Sequence, residues 1–349
     1  MHSVVCVFFA VLTLAGCASG PSTKKLQTKV SSERPEWIDN PRAVYSDTQY
    51  VSAVGYGADR ETAEKSALGS LVAIFGQKVS GKTIVNSRYT EAVRAGKVLV
   101  EEDSAVQRAV TSSWDQKSII GAEIKDTWFD GVKTFYAVAV MDKAKAMVLY
   151  SGLIESNEST VKKMTAIPIS ERNTLDAYTR FDLAATIADT NNEFLNVLSV
   201  VSPGAAAARR GTISTGDDLR LECRKIAENI PIFISIENDR NEQIKASFAS
   251  VLSAAGFKIA KQESRYALRA RLTLSETQLP KNPNKFARYL VEANLVDGST
   301  NTTVMPYTVN GREGHATLDE AEHRAVRSAD KKIRQEFGNA FSEFLGKQN

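Results

Sequence analysis

Histidine is nearly absent from this 349-residue chain: His2, His315 and His323 are all it has. Cysteine is as scarce, with Cys6, Cys17 and Cys223. Metal ligation and imidazole or thiolate catalysis draw on these two residue types, so the counts weigh against that chemistry from the outset. A charge excess is also missing. Lys and Arg total 44 against 41 Asp and Glu, a net of +3, with the signs interspersed. Without a basic field there is no electrostatic footprint for duplex DNA or RNA, and no nucleic-acid partner is expected. Long apolar runs are lacking too. The most apolar stretch, Val4 to Ala15, falls well short of the roughly twenty residues that cross a bilayer. What remains is ordinary globular material: 43% apolar, 24% charged and 8% aromatic residues. That is enough for at least one sizeable core, and the length suggests two or three domains.

The short apolar run has the length of a signal-peptide core, about 7–15 residues. Leu14-Ala15-Gly16-Cys17 follows at once. Small residues before a cysteine let a segment enter a signal peptidase in extended form, and the thiol can then take a diacylglycerol. Residues 1–16 therefore read as a lipoprotein signal peptide and Cys17 as the lipid attachment point, palmitate being among the expected acyl groups. The leader start, Met1-His2-Ser3, lacks the usual Lys or Arg. With the leader removed, Cys6 is lost and Cys223 stands alone, so no intramolecular disulfide is possible. Ala18 rather than Asp follows the cysteine, which, in organisms that use Asp for inner-membrane retention, predicts sorting to the outer membrane; the periplasmic face is favoured there over the cell surface. Several acyl chains anchor stably where one is marginal. Residues 17–33 are polar and lack apolar periodicity, as a flexible tether does. Within it Lys24, Lys25 and Lys29 are candidates for contact with anionic headgroups.

The folded chain is expected to be α+β: two small α+β domains, each a mostly antiparallel sheet with packed helices, joined by a helical segment. The boundaries read as 34–150, 151–203, a linker at 204–217, and 218–349. In the first domain Tyr50 to Gly55 reads as a strand, Gly55-Tyr56-Gly57 as a turn, and Asp59 as the cap of a helix reaching about Phe75. Residues 82–116 are ambiguous. Two strands flank Asp130-Gly131, a strong hairpin signal. Helices are expected from Asp142 to about Thr165 and from about Thr174 to Val201. Ala205 to Gly216 reads as a loop, and Leu219 to Cys223 alternates like a strand. Ile230 to Ile236 reads as a strand and Asn241 as the cap of the next helix. Further strands are expected at about 257–260, 266–276, 286–296 and 302–309. Thr317-Leu318-Asp319-Glu320 is a capping box for a closing helix with Ala321, Ala325, Ala329, Ile333 and Phe337 at steps of four. The two alanine-stepped helices echo one another weakly. Shared spacing of sheet-packing helices explains the echo more simply than duplication.

Taken together, the lipobox, the polar tether, Pro35-Glu36-Trp37, the strand, Gly55-Tyr56-Gly57 and the Ala63/Ala67 helix resemble the LPP-twenty lipoprotein family of bacterial outer membranes. The resemblance covers about residues 33–150. It implies a small α+β domain on a lipid anchor, without known catalysis. Related domains occur in flagellar-assembly and other envelope proteins. The long C-terminal half departs from a single-domain member of that family.

One catalytic-looking pattern stands against this. Gly76-Gln77-Lys78-Val79-Ser80-Gly81-Lys82-Thr83 fits a phosphate-binding loop letter for letter, with Gly76 and Gly81 shaping the loop, Lys82 on the phosphates and Thr83 on magnesium. Such a loop needs a strand before it, whereas a well-capped helix is expected there, and an envelope compartment lacks ATP. His315 and His323, eight apart, lack a third partner for a metal. Asp126 and Asp130 form a possible carboxylate pair for sugar hydrolysis, but strand and hairpin chemistry accounts for both. Arg209-Arg210 and Arg312-Glu313 read as solvated surface. No cofactor or metal is expected. The leading expectation is a non-enzymatic envelope lipoprotein that touches the lipid bilayer through acylated Cys17 and binds other envelope proteins in flagellar or outer-membrane assembly. The alternative is a peptidoglycan-facing scaffold or activator of cell-wall enzymes. A nucleotide-binding protein is the remote third.

Overall fold

The computed structural model describes residues 33–75, 83–98 and 119–347. The leader, Cys17 and nearly all of the tether lie outside them, as do Gly76, Gly81 and Lys82. The described chain is α+β, as its patterning predicts.

Strand β1 spans Tyr50–Gly57. The Asp59 carboxylate accepts the Thr62 N–H at 2.8 Å and starts helix α1, Arg60–Ile74. Ala63, Ala67 and Leu71 are buried against the sheet. Gly55-Tyr56-Gly57 is not the expected turn; it is the end of β1. Its glycines serve contact instead. A Cβ on Gly55 would lie 2.6 Å from the Ala67 Cα, and one on Gly57 would lie 2.6 Å from the Thr62 Cβ. The α1 backbone therefore rests directly on β1, an approach only glycine permits. The ambiguous region after it contains helix α2, Thr83–Arg94.

Strands β2, Ala122–Phe129, and β3, Phe135–Asp142, form the expected hairpin. Asp130 accepts N–H groups from Val132, Lys133 and Thr134 at 2.8, 2.9 and 3.0 Å, and Gly131 takes φ +78°. Those backbone bonds, led by Thr134, hold the Asp130 carboxyl at about 2. The three strands pair antiparallel in the order β1-β3-β2.

Asp142 caps α3, Lys143–Thr165, and Thr174 caps α4, Leu175–Val201. A buried polar chain sets their register. The Tyr89 hydroxyl donates to Asn157 Oδ1 at 2.7 Å, and Asn157 Nδ2 donates to Asn191 Oδ1 at 2.8 Å. Asn191 Nδ2 reaches the Ile154 carbonyl at 3.3 Å. Beside it, Glu158 accepts both the N–H and the hydroxyl of Ser214.

The segment expected as a loop carries a short helix, α5, Pro203–Arg209. Leu219 to Cys223 belongs to helix α6, Gly216–Glu228, capped by Thr215, and not to a strand. Leu219, Cys223, Ile226 and Ala227 are buried, while Leu221 is 44% exposed. That is helical spacing, and a five-residue alternation is too short to rule it out. An Arg220–Asp189 salt bridge ties α6 to α4.

The second sheet contains β4 (Pro231–Glu237), β5 (Lys258–Ala260), β6 (Tyr266–Thr277), β7 (Lys285–Asp297) and β8 (Thr302–His315). Their order is β5-β4-β6-β7-β8. The long β6-β7-β8 meander is antiparallel, while β4 runs parallel to β5 and β6. Helix α7, Gln243–Ala254, is held at its start by Asp239, which accepts the N–H groups of Gln243 and Lys245. The expected cap, Asn241, does not do this, because Glu242 at φ +52° turns the chain between them. Helix α8, Leu318–Lys332, opens on Thr317, whose hydroxyl accepts the Glu320 N–H at 3.4 Å. It passes through a π turn, Ile333–Phe337, into α9, Gly338–Lys347. The helices cover one face of this sheet and leave the other open. Buried apolar side chains run without interruption from Val51 through α3 and α4 to Leu345. Among the described residues, no helix is long and apolar enough to cross a membrane.

Candidate functional site

Among the described residues, those singled out for catalysis hold structural positions. Thr83 opens α2, and helix α1 rather than a strand precedes the glycine-lysine pattern. The strand-loop-helix frame of a phosphate-binding loop is therefore not met. Asp126 accepts the Trp37 indole N–H at 3.1 Å, while Asp130 holds the hairpin. His323 lies on α8 beside Asp319 and Glu320, and His315 ends β8. No group of three His, Cys, Asp or Glu that could hold a metal occurs among the described residues.

Cys223 is 5% exposed, and burial, reinforced by the Asp182 charge, pushes its thiol up to about 12. The thiolate is the reactive form. At pH 8 iodoacetamide is expected to alkylate Cys223 about a thousandfold more slowly than a free thiol of ordinary pKa. Reaction at the free-thiol rate in the folded protein would overturn that environment. The raised value also means that the stability contributed by the neutral thiol is fully present below about pH 9 and is lost progressively as pH rises toward about 12.

A cleft of about 740 Å³ separates α2, α4 and α9. Arg88 meets Asp182 at 2.5 Å in it, and Glu91, Lys97 and Glu343 add further charge to its lining. Ala92, Ala95, Leu183 and Leu345 supply its apolar lining.

The more distinctive surface is the open face of the first sheet, opposite α1. Pro35-Glu36-Trp37 folds back across it. Trp37 is 4% exposed and packs on Val138 and Val140. Beyond this plug, Tyr56, Tyr136 and Trp128 stand in register across all three strands. The Trp128 and Tyr136 ring centroids are 5.8 Å apart, and the Arg34 guanidinium lies 5.7 Å from the Tyr136 ring. Tyr56 is 69% exposed.

Tyr56 belongs to β1, whose only strand partner among the described residues is β3. The Tyr50 N–H bonds Ser46, away from β3, so in an antiparallel pair Ser52, Val54 and Tyr56 also turn their backbone groups outward. Among the described residues, no backbone bond from another segment reaches residues 51–57. Tyr50–Gly57 carries no charge, proline or bulge. Proteins ordinarily blunt free edges with just those devices. The Ser52 hydroxyl is buried there without a hydrogen-bond partner. Sequence reading finds this stretch as a strand but not as an edge. An eight-residue strand without charge is the signal that was available.

No curated protein matches the chain. Among solved structures, a minor lipoprotein from Acinetobacter baumannii is similar to 32% of this chain over 92% of its own length, at 14% identity and a TM-score of 0.27. The rare lipoprotein B from Shewanella oneidensis is similar to 32% of this chain over 92% of its own, at 14% identity and a TM-score of 0.24. The secreted protein HP1454 from Helicobacter pylori matches 82% of this chain and 97% of its own, at 12% identity and a TM-score of 0.40. The family model of the LPP20 lipoprotein matches residues 35–142, from the Trp37 plug to the end of β3. Over those residues the chain is similar to the LPP20 lipoprotein family.

Proposed function

We propose that the protein is a non-enzymatic lipoprotein of the bacterial envelope. Acylated Cys17 holds it at the periplasmic face of the outer membrane, and its first sheet binds an extended segment of a partner protein in flagellar or outer-membrane assembly. The carrying observation is the uncharged, unblunted edge of β1, with Tyr56 at its end. An added strand gains main-chain bonds from Ser52, Val54 and Tyr56 and lays side chains beside the aromatic row. Tyr, Trp and Arg are the residue types that dominate protein interfaces.

A second copy does not fit this edge. Helix α1 sits directly over β1, so pairing β1 with its own copy, about 5 Å away, would bring two helices well inside their 8–10 Å packing distance. A bare strand meets no such obstacle.

A photoreactive amino acid at Tyr56 in cells is expected to give a discrete protein adduct. The same probe at Val132, 80% exposed on the hairpin, should give none. Val54→Pro, which removes an outward N–H and spares the bonds to β3, should abolish the adduct. Tyr56-dependent sedimentation with insoluble peptidoglycan, without a protein adduct, would favour the cell-wall reading instead. Mass spectrometry of the mature N-terminus tests the anchor. A diacylglyceryl cysteine at position 17 supports it, and an unmodified Met1 sinks it.

A further inference from the structure

The open face of the second sheet changes character along its length. Near its base the cations are neutralised. Arg269 meets Glu263 at 2.6 Å, and Arg271 meets Glu237 at 2.7 Å while facing Glu292 across the strand pair. Beyond Leu290 the pairing is confined to Lys285, which meets Glu276 at 3.2 Å. Arg288 on β7 stands directly opposite Arg312 on β8. Like charges in opposed positions destabilise a strand pair. Among the described residues no ion pair neutralises either arginine.

The arrangement around them is built. A Cβ on Gly314 would come 2.5 Å from Phe286 Cε1, so the Phe286 ring lies across β8 at that glycine. The Arg312 guanidinium is held 5.5 Å from the ring centroid. At the same end the β6–β7 turn presents exposed Lys281, at φ +64°, beside half-buried Leu279. In sequence, Arg312-Glu313 looks like ordinary solvated surface. It is the strand register that brings the second arginine opposite.

We propose that this end of the second sheet rests on an anionic phospholipid surface, with Arg288, Arg312 and Lys281 against headgroup phosphates and Phe286 and Leu279 at the interface. Guanidinium groups bind phosphate oxygens in paired hydrogen bonds. An exposed sheet end and turn suit a planar array of phosphates, whereas a single small anion calls for an enclosing cleft. The proposal rests on the lipid-anchored reading, since the anchor brings a bilayer within reach.

The test uses the chain from residue 18 onward, which keeps every described residue and has no acylation site. Its binding is measured by co-sedimentation with vesicles of phosphatidylglycerol and phosphatidylcholine, and with phosphatidylcholine alone. Binding is expected only to the anionic vesicles and should weaken with salt. Arg288→Gln with Arg312→Gln should lower it about 30-fold, about fivefold for each cation lost at the surface. Arg269→Gln with Arg271→Gln makes the same change in net charge where the arginines are paired, and should stay within about twofold of the parent. The first variant should keep the parent's melting temperature, since a repulsive pair is removed. Equal binding to both vesicles, or equal losses in both variants, overturns the proposal. So does retention by immobilised polyglutamate without vesicle binding, which would point to an acidic protein. Because this chain carries no acyl group, the result is separate from the fate of Cys17.

Discussion

Replacing Gly55 by valine is expected to cost at least about 3 kcal/mol and to unfold the first sheet and its helix first. A side chain at this position would overlap backbone atoms of Ser66 and Ala67. Backbone inside a packed helix cannot yield as a flexible side chain does, so α1 must lift from β1, opening the contacts of Ala63, Ala67 and Leu71. Urea unfolding followed by the fluorescence of Trp37 and Trp128 checks this. Gly69 provides the contrast. It lies exposed in the middle of α1, and a Cβ added there would meet nothing within 4 Å, so Gly69→Ala should raise stability by about 0.5–1 kcal/mol. A loss below about 1 kcal/mol at Gly55 would refute the close approach.

The second large effect is expected at Asn157, which is fully buried. Asn157→Ala strips the Tyr89 hydroxyl of its acceptor and the Asn191 carbonyl oxygen of its donor. A buried polar group that loses its partner costs about 1–3 kcal/mol, so a loss of about 3 kcal/mol or more is expected. Tyr89→Phe alone should cost only about 1 kcal/mol, because it removes the donor together with its need for a partner. The double variant should then cost less than the sum of the two. Strict additivity would show that the hydroxyl and the carboxamide do not act together.

Much of the fold is legible because its signals are local. Asp59, Asp142, Thr174 and Thr317 announce helix starts from within a few residues, and all four caps form. The Asp130-Gly131 hairpin is equally self-contained. What eludes a reading of the sequence depends on distant partners. A glycine in a strand marks either a bend or a close approach, and only the position of α1 decides between them at Gly55 and Gly57. Leu219, Leu221 and Cys223 alternate in sequence, but α4 selects the helical face. Pro35-Glu36-Trp37 is visible as a motif, yet its task as a plug appears only once Val138 and Val140 face it. The opposition of Arg288 and Arg312, and the bare edge of β1, are products of strand pairing, which a sequence does not print. Cys17, Gly76, Gly81 and Lys82 lie outside the described residues and stand as the sequence left them.

The π turn at Ile333–Phe337 has a genetic corollary. A π turn holds one residue more than the α turn it interrupts, which makes it the footprint of a single-codon insertion. Losing one exposed residue from it, such as Glu336, would close the turn to regular α geometry and leave the flanking halves where they are. The same deletion elsewhere in this helix would swing every later side chain about 100° around the axis and carry Phe341 and Leu345 out of the interior. Natural length variation in this closing helix should therefore concentrate in those five positions.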